Sequence, residues 1–133
     1  MFNKTLLSFI LLSSLSFASL ENREVSPTSI KNIKIVDIRT PSEWKERGII
    51  KNAYTIMFFD EKGGYNVDKF ILALNKVVKK DEKFAIICRT GHRTTTIADF
   101  LGNKLGYNLV NLKGGMKQLI EKYKYKTTPY KGN

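Results

Sequence analysis

The chain has 133 residues, 42% of them apolar, and a formal net charge of +11. That length has room for one domain and that apolar share is enough for a single core, so composition excludes intrinsic disorder. The charge admits an acidic partner, but most of the lysines are scattered and only Lys79 and Lys80 adjoin. Basicity serving small anions or a cell-envelope surface is therefore favoured over nucleic-acid binding.

Residues 1–18 read as a leader. Lys4 supplies a positive start, Thr5 to Phe17 form an apolar, serine-dotted run, and Ser16-Phe17-Ala18 puts small residues where a signal peptidase reads. The run is shorter than the ~20 residues that span a bilayer. It predicts cleavage after Ala18, no stable membrane anchor, and export to the periplasm. Residues 19–24 are polar and read as a tether, ahead of a domain over residues 25–123.

Ile33 to Ile38 is β-branched and apolar, the pattern of a buried parallel strand. Thr40-Pro41-Ser42-Glu43 follows as a capping box, with Pro at the first helical position. The short helix it opens carries Trp44, the only tryptophan, and stops at Gly48. Ala53 to Phe59 predicts a second strand, with Trp44 and Tyr54 in the core. From Val67 to Val78 apolar residues recur at helical spacing, so one face packs on a sheet. Phe84 to Cys88 predicts a strand, about 93–105 a helix ending at Gly106, Leu109 to Leu112 a strand, and Met116 to Tyr123 a last amphipathic helix. Residues 124–133 read as a frayed basic tail. Alternating strands and helices imply an α/β domain with a central, mainly parallel sheet flanked by helices on both faces.

The chemistry concentrates in Cys88-Arg89-Thr90-Gly91-His92-Arg93, which holds the single cysteine of the chain. A buried strand delivers one thiol to the mouth of a tight loop that feeds a helix, and ligands of such sheets lie beyond the carboxyl ends of the strands. Loop amides, the start of the helix, and the charges of Arg89 and Arg93 favour a thiolate over a thiol. A lone cysteine cannot close a disulfide within the chain, so in an exported protein it suggests a reactive site or pairing with another molecule.

Three stretches together resemble the rhodanese (thiosulfate sulfurtransferase) homology domain: Ile35 to Trp44, the Cys88–Arg93 loop, and Gly106 to Met116. At two packing positions the chain departs from the pattern, with Gly48-Ile49-Ile50 in place of Gly-His-Ile and Leu119 in place of a tryptophan. The resemblance implies that Cys88 takes the outer sulfur of thiosulfate or a related anionic donor as a persulfide. It then implies transfer to a thiol or cyanide-like acceptor, with ping-pong kinetics and no metal or organic cofactor.

In that reading Arg93 binds the anion and stabilises the thiolate, and Gly91 supplies a backbone angle that the loop requires. Arg89 is either a substrate contact or a surface charge. Thr90 and His92 complete the loop, His92 as an exposed residue rather than a general base. Asp37 and Arg39 are expected as a structural ion pair beneath the loop. Two other functions stay open. One is a non-catalytic binding or redox module on the same fold. The other is a phosphatase or arsenate reductase, although those enzymes place arginine one position further, Cys-x5-Arg, to wrap a larger oxyanion.

Overall fold

The computed structural model describes residues 19–132. The leader expected over residues 1–18 lies outside them. Its elements are β1 (Leu20–Glu24), β2 (Lys34–Asp37), α1 (Pro41–Arg47), β3 (Tyr54–Thr55), α2 (Val67–Val77), β4 (Phe84–Ile87), α3 (His92–Ala98), β5 (Leu109–Lys113) and α4 (Gly115–Glu121).

Phe84, Ala85, Ile86 and Ile87 are apolar without interruption because β4 is the middle strand of five, covered on both faces. The order is β1-β5-β4-β2-β3, and every ladder is parallel. Side chains alternate between two cores. Phe84 and Ile86 pack with Phe70 and Leu74 of α2 and Ile97 of α3. Ala85 and Ile87 pack with Val110 and Leu112 of β5 and with Met116 and Leu119 of α4. The expected α/β sheet with helices on both faces is the observed one.

Several expectations are corrected. The polar stretch 19–24 is not a tether: Leu20–Glu24 is edge strand β1, running parallel to β5 from Leu20 opposite Leu109 to Glu24 opposite Lys113. An edge strand tolerates charge on its solvent side, which hides it from a search for apolar runs. The strand expected over 53–59 pairs only at Tyr54 and Thr55, and Tyr54 is 39% exposed rather than in the core. Trp44 is buried as expected.

The helix after the loop changes character midway. It is α-helical to Ala98 and π-helical over Asp99–Lys104. The wider turn alters the phase of the side chains, so Leu105, which continues the helical spacing of Ile97, Ala98 and Leu101, stands 45% exposed. Buried Gly102 on that turn faces Leu20 of β1, where an added Cβ would lie 3.1 Å from the Leu20 Cβ. The basic tail is held down. Thr128 and Ile49 exchange backbone hydrogen bonds of 2.8 Å in both directions, Thr127 Oγ1 donates to Arg47 O, and the Tyr130 ring lies 5.2 Å from that of Trp44.

Candidate active site

Cys88 is the first residue beyond β4, and it is fully buried. The thiol sits on the floor of its loop rather than at its mouth, the position expected from the sequence. Gly91 accounts for the difference: at φ 92° it adopts the left-handed region and turns the chain back over the sulfur. Its N–H donates to Cys88 Sγ at 3.2 Å. Thr94, also fully buried, stands with Oγ1 3.6 Å from the sulfur and donates to the Gly91 carbonyl at 3.2 Å.

Neighbouring segments hold the loop from behind. Met116 N–H donates to Cys88 O at 2.9 Å, and Lys117 N–H donates to Arg89 O at 2.8 Å. The first turn of α4 thus satisfies the loop carbonyls of Cys88 and Arg89. This is the physical reason for Gly115: a Cβ there would come within 2.6 Å of Cys88 O and strike Arg89 O as well.

Arg89, Thr90 and His92 are exposed, and Arg93 is half-buried. The Arg93 guanidinium turns to α1 and grips Glu43 with two parallel hydrogen bonds, Nη1–Oε1 3.0 Å and Nη2–Oε2 2.8 Å. Burial pulls its pKa down, but the hydrogen bonds and charge of Glu43, with smaller help from the charges of Cys88 and Asp37, more than offset that and raise it. Arg93 is therefore a fixed cation at the end of the loop.

Asp37 and Arg39 form a buried pair. Arg39 Nη2 lies 2.7 Å from Asp37 Oδ2 and Nε 2.9 Å from Oδ1, with both side chains essentially inaccessible. Trp44 Nε1 donates to Asp37 Oδ1 at 3.1 Å, and Arg39 Nη2 donates to Gly48 O at 2.7 Å. The pair anchors α1 to the end of β2, so that α1 can present Glu43 to the loop. A buried and fully hydrogen-bonded pair is expensive to break from one side, at about 3–5 kcal/mol.

Two site residues escape sequence reasoning. Local spacing makes Glu43 the far partner of a capping box. Thr40 does accept the Glu43 N–H, at 3.4 Å, but the Glu43 carboxylate reaches across to Arg93. Nothing in local spacing relates residues fifty positions apart. The same spacing makes Thr94 only part of a helix start, and it is the reversal at Gly91 that brings its hydroxyl near the sulfur.

Residues 25–122 match the family model described as Rhodanese-like domain. A Schizosaccharomyces pombe protein bearing the provisional name of a mitochondrial thiosulfate sulfurtransferase is 31% identical over 119 residues, 86% of this chain and 82% of its own. A rhodanese-like domain protein from Staphylococcus aureus is 28% identical, with a TM-score of 0.54 over 72% of this chain and 87% of that one. A rhodanese-related protein from Thermoplasma volcanium is 26% identical, with a TM-score of 0.55 over 75% and 92%.

Proposed function

Because the chain belongs to the rhodanese-like domain family, we propose that it is a sulfurtransferase, with Cys88 carrying a sulfane sulfur from thiosulfate or a related donor to a thiophilic acceptor. The observation that carries this reading is the contact at the sulfur. A loop amide donates to Sγ at 3.2 Å at the carboxyl end of the central strand, and an arginine closes the same loop. That arrangement suits a nucleophile whose charge must be held before and after reaction.

In the first half-reaction the Cys88 thiolate attacks the outer sulfur of thiosulfate. A bond forms between Sγ and that sulfur, the S–S bond of the donor breaks, and its electron pair leaves with sulfite. The Gly91 amide stays on Sγ, while the Thr94 hydroxyl can turn from the Gly91 carbonyl toward the sulfur as charge develops there. Arg93, with Arg89 nearby, offers positive charge to the departing dianion. In the second half-reaction the acceptor takes the outer sulfur, and the electron pair of the breaking bond returns Cys88 to thiolate. No oxidant or reductant enters. The site of action in this reading is the periplasm, reached by the leader expected over residues 1–18.

Intact-mass measurement after thiosulfate treatment tests the proposal. The wild-type chain should gain one sulfur atom that dithiothreitol removes, and Cys88→Ser should gain none. A wild-type chain that takes up no sulfur would favour a binding module. Robust turnover of a chromogenic phosphate ester would favour oxyanion-ester chemistry instead.

A further inference from the structure

Beside the loop a groove of about 310 Å³ runs between α1 and α4. It is larger than a donor as small as thiosulfate requires, and its floor is apolar, formed by Met116 and Ile120. Its charges are unevenly compensated. Arg39 is held by Asp37, Glu43 by Arg93, and Arg47 lies 3.9 Å from Glu121. Arg89 and Lys117, both exposed on its wall, have no carboxylate partner among the described residues, and Glu46 is the one lining carboxylate without a cation. The two unpartnered cations stem from adjoining backbone, since Lys117 N–H donates to the Arg89 carbonyl at 2.8 Å, and both side chains line the groove. The floor is tied to the nucleophile in the same way, through Met116 N–H on Cys88 O at 2.9 Å.

We infer that this groove is the acceptor subsite and selects thiols that carry a carboxylate, with Arg89 and Lys117 holding the carboxylate and the aliphatic stem lying over Met116 and Ile120. The inference rests on the sulfur-transfer reading and names the class of acceptor. The acceptor thiolate attacks the outer sulfur of the Cys88–S–SH persulfide, an S–S bond forms on the acceptor, the Sγ–S bond breaks, and its electron pair stays on Sγ. The products are the acceptor persulfide and the Cys88 thiolate, so atoms and charge balance.

The test follows discharge of the persulfide, loaded with thiosulfate and verified by mass, by three small thiols compared at equal thiolate concentration. These are 3-mercaptopropionate, 2-mercaptoethanol and cysteamine: anionic, neutral and cationic. Two exposed cations should favour the anion over the neutral thiol by about tenfold at low salt, and disfavour the cation. Lys117→Glu should narrow or reverse that order. Discharge that ignores thiol charge, or a preference that Lys117→Glu leaves unmoved, overturns this inference alone. A chain that never loads overturns the sulfur-transfer reading and this inference with it.

Discussion

Arg93 closes the loop, yet its guanidinium faces Glu43 of α1, so its charge is positioned by a partner from another element. A residue holding a developing dianion in this way contributes to both binding and rate, and removing one such donor costs on the order of a hundredfold. Arg93→Ala should slow persulfide loading by about that factor, with the thiosulfate KM rising and the urea midpoint shifting little. Steady-state kinetics beside an unfolding curve check this; a rate loss that merely follows lost stability would remove Arg93 from the anion site. Cys88 and its loop were legible as a candidate site because the solitary cysteine stands at the end of an apolar strand with two arginines close behind it. Its depth was not legible, because it depends on the backbone angle at Gly91 and on where Thr94 then falls.

Between elements, the decisive contact is the first turn of α4 against the Cys88 loop. Met116 and Lys117 donate to carbonyls of Cys88 and Arg89, and this requires bare backbone at Gly115, where φ is 63°. Gly115→Ala would press a methyl group into both carbonyls from a left-handed conformation. It should cost about 3 kcal/mol through overpacking and strain together. Urea unfolding would show the lower midpoint, and surviving protein should load sulfur poorly because Cys88 has moved. Near wild-type stability would mean that the two segments separate freely. A Gly-Gly pair between a strand and a helix marks a turn from spacing alone; its role as a seat for the loop is not local, because the two segments are joined only in the folded sheet.

Across the whole molecule, β1 closes the sheet with charge where a core strand would use apolar residues. Glu21 accepts from Arg23 Nε at 2.8 Å and from Lys83 Nζ at 2.9 Å, and these hydrogen bonds, Arg23 first and then Lys83, lower its pKa from 4.5 to about 2. A carboxylate with a depressed folded pKa adds stability that is full above its unfolded pKa and fades as pH falls toward the folded one. The Glu21 side chain is 40% exposed, so solvent screening limits the contribution to no more than about 1 kcal/mol. Wild type should therefore exceed Glu21→Gln in urea midpoint at pH 6, and the two should converge between pH 4.5 and 2. A gap that persists unchanged to pH 2 would show that the ion pairs contribute nothing in solution.

The α/β class, the buried central strand, the capped first helix, the amphipathic face of α2 and the place of the single cysteine were all legible in the chain alone. Each is written in local periodicity or in residue chemistry that a few neighbours suffice to specify. Folding in three dimensions was needed to make residues 20–24 an edge strand, to bring Tyr130 onto Trp44, to turn Leu105 outward just after a π-helical turn, and to set Glu43 against Arg93. Those outcomes depend on partners tens of residues away. A polar strand, a tail or a carboxylate acquires its position from what it meets in space, and chain spacing carries no record of that meeting.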